Sequence, residues 1–385
     1  MNPTANVTFA YDPWFPRLVS MTDGTGTTQY TYVPVGTPGA LQLQQQSGPL
    51  ANSAVNLTYD ALGRLASRRI AGGGPETFGY DTIGRLSSHG SDLGQFTLGY
   101  LGQTGQITGN QLGGSTLATT WSYLPNAQDR RLAGIDNVGL SSGQYSDYAF
   151  TSTQYFITNI TETSDAASVY PAALTQTASY NNLNQLTNLS GQARIYDRNG
   201  NLLSDGQRNY AWNAENGLIR ITYPSSPLPG KETAFTYNGL DQRAAITSTP
   251  GGGGAAVTTS YIWCGSGPCQ ARNTNNIPTR EYLAEGEFVP GGAKEYYGVD
   301  QIGSVRRVFA STSDAPAYGY DPYGNACPAD ELRLRRDALQ FRQRSLSHPV
   351  PRLRSRRGPL AFARSARRIG EFVCKSLRLR GFKSS

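Results

Sequence analysis

The chain has 385 residues, room for one large domain or two ordinary ones. Its 44 glycines and 22 prolines are too aperiodic for collagen and too mixed with Tyr, Leu and Ile for a wholly disordered polypeptide. The net charge of +7 is uneven: residues 326–385 carry 16 Lys and Arg against four acidic residues, while residues 1–325 carry 18 against 23. No apolar run approaches the roughly 20 residues that a membrane-crossing helix needs, so no membrane span is expected.

The chain opens with MNPTANVTFAYDPWFPRL, in which no basic stretch precedes an apolar run, so no signal peptide is expected. A short motif then recurs. LTYDALGRLASRR lies at 57–69 and FGYDTIGRLSSHG at 78–90, with Tyr59 and Tyr80 separated by 21 positions and Tyr100 following after 20. Weaker copies surround Tyr123, Tyr180, Tyr196, Tyr210 and Tyr237, while residues 101–175 fit loosely, with long Ser/Thr-rich intervals. The template is Tyr-Asp/Asn-x-x-Gly/Asn-x-Leu, and its physics is that of a hairpin. The Thr-Tyr step favours a strand. Asp60, Asp81 or Asp197 bonds its own backbone and opens a turn; Gly63, Gly84 or Gly200 supplies a positive φ. Arg64 or Arg85 with the following Leu begins the return strand. A lone hairpin is marginal in water, so the units must pair side by side, with the repeat tyrosines packed between neighbours. The expected fold class is all-β: an array of hairpins forming a curved sheet, with little helix.

Further along, GGGG at 251–254 lacks a following Lys-Ser/Thr and reads as a hairpin loop rather than a phosphate cradle. CGSGPC also reads as a hairpin loop, in which Cys264 and Cys269 either pair as a disulfide in an exported chain or stand as two free thiols. Cys327 and Cys374 lie beyond the repeats, and no metal signature is present. The two histidines, His89 in the apparent turn SSHG and His348 near the C-terminus, read as surface residues, and no catalytic constellation assembles around them. No catalytic, cofactor or metal residues are expected, and the chain reads as a non-enzyme. Trp121, Trp212, Trp263 and the many tyrosines raise a carbohydrate- or peptide-binding cell-surface module as the rival reading.

YDALGRL, YDTIGRL and YDRNGNL resemble the YD repeats of bacterial Rhs proteins and of the teneurin shell. EYYGVDQIGSVRRVFASTSDAPAYGYDPYGN at 295–325 resembles the start of the Rhs repeat-associated core, matching at Asp300, Gly303, Ser304, Arg306, Tyr318, Tyr320, Asp321, Pro322, Tyr323 and Gly324. The resemblance implies a partial YD-shell over residues 1–294, the start of the core over 295–325, and secretion or surface display of a larger ancestor. It implies an encapsulating fragment of a polymorphic toxin or cell-surface protein, without the toxin and self-cleavage parts. The implied partner is a toxin domain or the rest of the shell, with a glycan or surface receptor under the rival reading and no specific nucleic acid under either. The Asn-x-Ser/Thr triplets at 56–58, 159–161 and 188–190 then read as chance, because the resemblance points to bacteria.

Residues 326–385 do not continue the core pattern. VPRLRSRRGPLAFARSARR at 350–368 contains seven arginines in 19 residues and no tyrosine. Synonymous codons for residues 350–365, read one base out of register, encode YRAYDPVAGRWLSRD, the continuation that the family pattern requires. The basic tail is therefore expected to be a wrong-frame translation of a core motif, irregular or with an isolated helix.

Overall fold

The computed structural model describes residues 6–141, 143–153, 156–166, 175–224, 228–310, 317–320 and 326–327. The chain is built from antiparallel strands joined in sequence order. Fourteen strands, from Thr8–Tyr11 to Ile157–Ser164, form a first sheet in which every strand pairs with its sequence neighbours. A small sheet follows, made of Ala178–Tyr180, Leu186–Leu189 and Gln192–Ala193. Twelve strands, from Ile195–Tyr196 to Val305–Ala310, form a second large meander. Gly319–Tyr320 pairs with Ala326–Cys327. Among the described residues the only helical piece is the single 3-10 turn Asn126–Gln128.

One repeat shows why the sequence folds this way. Strands Val55–Tyr59 and Leu65–Ile70 are joined by a turn in which Asp60 Oδ1 accepts the backbone N–H of Leu62 and of Arg64, both at 2.9 Å. The N–H of Gly63 donates to the carbonyl of Asp60 at 2.9 Å, and Gly63 has φ 73°. The ladder register shifts between Thr58 and Tyr59, so the turn closes on a bulge. Asp81 and Gly84 repeat this geometry, with φ 88° at Gly84. Elsewhere a short polar residue takes the same position, at Asn184, Asn216, Asp241 and Asn276, all near φ 60°.

Neighbouring hairpins are tied by the repeat tyrosine. Tyr80 donates its hydroxyl to the carbonyl of Leu65 at 2.9 Å, which lies past the end of the ladder joining the two hairpins. Tyr59, Tyr100 and Tyr123 do the same to Leu43, Leu86 and Ile107. The indole N–H groups of Trp212 and Trp263 substitute for the phenol, donating to the carbonyls of Leu202 and Arg243. The return-strand arginine completes the link: Arg64 pairs with Asp60 at 2.6 Å and lies 4.4 Å from the ring centre of Tyr80. Arg85 does so with Asp81 and Tyr100.

The two large sheets meet along a seam. Its contacts follow one order in both: Asp23 with Gly239, Ala51 and Asn52 with Arg272, Leu93 with Tyr296, Asn137 with Val299, and Asp165 with Arg307. The first sheet contributes the connections away from its Tyr-Asp turns. The second mainly contributes turns opened by Asn or Asp, such as those at 238–241, 273–276 and 300–303. The chain thus crosses the first sheet, returns, and crosses the second in the same direction, which is the topology of a coiled ribbon. The main core lies on this seam, where Leu93, Phe96, Leu112 and Leu117 pack with Leu283, Phe288, Tyr296 and Phe309.

Candidate functional site

The densest buried chemistry sits at the middle of the seam. Strand Leu86–Ser91 carries His89, which is 2% exposed and stacked on Phe78 with ring centres 5.0 Å apart. The surface-turn reading of His89 is therefore wrong: the Ser-Ser-His-Gly run is strand, and the imidazole points into the junction between the sheets. His89 Nδ1 lies 2.8 Å from Glu285 Oε2, in the second sheet's connection, and Nε2 lies 3.2 Å from Glu76 Oε2, on strand Pro75–Tyr80. Carboxylates only accept, so both ring nitrogens must carry hydrogen and the ring is an imidazolium. Burial alone would depress its pKa, but the hydrogen bonds to Glu285 and Glu76 prevail and raise it to about 9. Burial likewise opposes the charge on Glu76, yet His89 and Arg68 hold its pKa below the usual value. Arg68 donates to both carboxylate oxygens of Glu76 at 2.7 Å.

A cavity of about 510 Å³ also lies on the seam, lined by residues that neighbour the bridge in sequence. Gly73 and Asp92 line it from the first sheet, and Arg272, Glu281, Phe288 and Pro290 from the second. Burial, then the charges of Asp92 and Glu76, raise the pKa of Glu281, whose Oε1 accepts a 2.9 Å hydrogen bond from Gln270. Arg272 is 2% exposed and makes four hydrogen bonds, donating to the carbonyls of Ala51 and Asn52 and to Gln270 and Asn276. Further along the seam, Asn137 imitates a backbone partner: its amide donates to the carbonyl of Val299 at 3.1 Å and accepts that residue's N–H at 3.2 Å. Among the described residues, no group of three or more His, Cys, Asp or Glu side chains is arranged to hold a metal.

The motif residues singled out in the sequence fall at separate points of the ribbon. Tyr59 to Arg64 and Tyr80 to Arg85 form consecutive turns of the first sheet. Tyr196, Asp197 and Gly200 form the first such turn of the second, where Asp197 Oδ1 accepts the N–H of Asn199 and Asn201. Asp300 and Gly303 build the turn between Lys294–Val299 and Val305–Ala310. There Asp300 Oδ1 accepts the N–H of Ile302 and of Ser304, and burial raises its pKa. Arg306 reaches across the seam to Glu162 at 3.1 Å. Tyr320 lies in the short strand Gly319–Tyr320, while Asp321, Pro322, Tyr323, Gly324 and the tail beyond residue 327 lie outside the described residues. Cys264 and Cys269 form a disulfide with Cα atoms 5.7 Å apart, at the end of a hairpin that packs on Val55 and Ile70. The seam residues Glu76, Glu285, Asn137 and Arg272 were not singled out, because nothing local marks them.

No protein-family model matches the chain. Among curated proteins, it is 30% identical over 160 residues to the tRNA3(Ser)-specific nuclease WapA of Bacillus spizizenii and 29% identical over 160 residues to the tRNA nuclease WapA of Bacillus subtilis strain 168. Each match covers 39% of this chain and 6% of the relative, so the chain spans a small part of the proteins it resembles. Among solved structures, the crystal structure of TcdB2-TccC3-Cdc42 matches with a TM-score of 0.56 at 16% identity, covering 84% of this chain and 22% of that one. The Photorhabdus luminescens Tc holotoxin pore carrying TccC3-D651A matches with a TM-score of 0.56 at 16% identity, covering 84% and 21%. TccC3 is an Rhs-type YD-shell protein, so the likeness shows an Rhs-like shell fold. The expectation of a non-enzyme is corrected by the curated relatives, which are named as nucleases.

Proposed function

We propose that this chain forms part of the wall of an Rhs-type shell in a toxin-class protein. The observation that carries this reading is the seam: two meanders laid edge to edge in the same chain order give a ribbon that can coil around a volume. The repeat chemistry supports it, because each Tyr-Asp-Gly-Arg unit bonds only its neighbours and extends the wall without a new core. On this reading the occupant of the enclosed space is a toxin segment. The names of the curated relatives make cleavage of transfer RNA the activity to assay in the whole protein.

The wall reading is tested by encapsulation. An epitope-tagged passenger is attached to the chain's C-terminus and digested with protease, alongside the same passenger on an unrelated β-protein of equal size. Cleavage several-fold slower on this chain is expected; equal rates would contradict the reading. We also propose that the basic residues after 325 are a wrong-frame reading of the core. Genomic DNA that encodes YRAYDPVAGRWLSRD one base out of register supports this, and stop codons or unrelated residues in that frame overturn it.

A further inference from the structure

We propose that the Glu76–His89–Glu285 bridge is a pH-sensitive latch: it holds strands Pro75–Tyr80 and Leu86–Ser91 of the first sheet against the connection at 283–285 of the second, and alkali loosens it. This does not depend on what the ribbon encloses. The geometry is that of a clasp. Among the described residues His89 is the side chain that bonds a carboxylate from each sheet, and both carboxylates lie largely out of water, with side-chain exposures of 12% for Glu76 and 8% for Glu285. The cavity begins two residues before Glu76, at Gly74, and its far wall includes Glu281 and Phe288, on either side of Glu285. Separation of Glu285 from His89 therefore loosens the rim of the cavity first.

The charged groups around the clasp set the direction. Glu76 and Glu285 face the ring, Arg68 neutralises Glu76, and Glu281, Asp92 and Arg272 form the next shell. Loss of one proton leaves His89 a single N–H for two buried acceptors. Arg68 still satisfies Glu76, so the remaining N–H stays on Nδ1 toward Glu285, but as a neutral donor in place of an imidazolium, and the bond to the opposite sheet loses its charge assistance. Because the folded pKa of His89, about 9, lies above its unfolded value of 6.5, the latch contributes fully below that unfolded value and is lost as pH rises through about 9. Glu76 acts in the opposite sense: its folded pKa is depressed, so its contribution is present above the ordinary carboxylate value of 4.5 and is lost as pH falls through the depressed one.

The test uses the full chain with His348→Gln, so that one imidazole signal remains. Its NMR titration midpoint is expected well above that of a free imidazole. Hydrogen-exchange protection factors, which remove the intrinsic effect of pH on exchange, are compared at about pH 7 and about pH 10, on either side of the titration. Protection at residues 71–76 and 283–291 should fall about tenfold or more across that step. In His89→Gln it should already be low at neutral pH and show no step. If that variant does not fold, Glu285→Gln, which keeps the pair with Glu76, decides: it should also abolish the step. A midpoint near that of a solvent-exposed histidine, or an equal step in Glu285→Gln, overturns the latch.

Discussion

The phenols of Tyr59, Tyr80, Tyr100, Tyr123, Tyr196 and Tyr237 each satisfy a carbonyl that the bulge at the preceding turn leaves outside the ladder. Tyr80→Phe keeps the ring under Arg64 and removes only the bond to Leu65. It is expected to cost about 1 kcal/mol, read from a urea denaturation midpoint. The turn glycine is a separate element of the code. At Gly84 the space for a side chain is open, with only Arg64 Nη1 at 3.9 Å, so a substitution there reports backbone conformation alone. Gly84→Ala should cost about 1–2 kcal/mol, and Gly84→Asn clearly less, since Asn184 and Asn216 already occupy the equivalent position. Equal losses for the two variants would contradict this. The turns were legible in the sequence because their hydrogen bonds close within five residues. His89 was not, because Ser and Gly around it imitate a turn. They are small for a different reason: a Cβ at Gly90 would lie 2.5 Å from Thr77 Oγ1 and from Gln95 Oε1 on the flanking strands.

At the scale of the hairpin, strict neighbour-to-neighbour pairing leaves open ends. Strand Ile157–Ser164 pairs on one side only among the described residues, and it exposes Ile157 and Ile160. Such an edge templates association with other strands. Ile160→Lys is expected to lower self-association in sedimentation without changing the circular dichroism; unchanged association would mean that this edge is not the contact. The hairpin Val257–Cys264 with Gly267–Arg272 is closed by its disulfide. Replacing both Cys264 and Cys269 with serine removes a short covalent loop, which should cost about 2 kcal/mol. The same loss should appear on adding reductant to the native protein. One hairpin was missed from the sequence altogether, at Asn273–Asn276. Its turn is complete, with Asn273 Oδ1 accepting the N–H of Asn275 and Ile277. Arg272, however, replaces the tyrosine and Pro278 follows, so the motif has lost the residues that link hairpins and kept those that make the bend.

At the scale of the whole molecule, the seam decides what the ribbon is, and it was the least legible feature in the sequence. Its bonds join residues more than 140 positions apart, such as Asp165 with Arg307 and Ala51 with Arg272, and no periodicity encodes which turn meets which. The repeat only requires that a sheet form; side-chain complementarity along one edge fixes how it coils. The most direct measurement is therefore cross-linking by a short bifunctional thiol reagent. Cysteine pairs are placed at Ala51 with Asn276 and at Asn137 with Val299, and then at the crossed combinations Ala51 with Val299 and Asn137 with Asn276. Cys327 and Cys374 are replaced by serine throughout. A same-order seam requires the first two pairs to cross-link efficiently and the crossed pairs to stay unlinked. Equal yields in all four, or preference for the crossed pairs, would contradict the coiled-ribbon account.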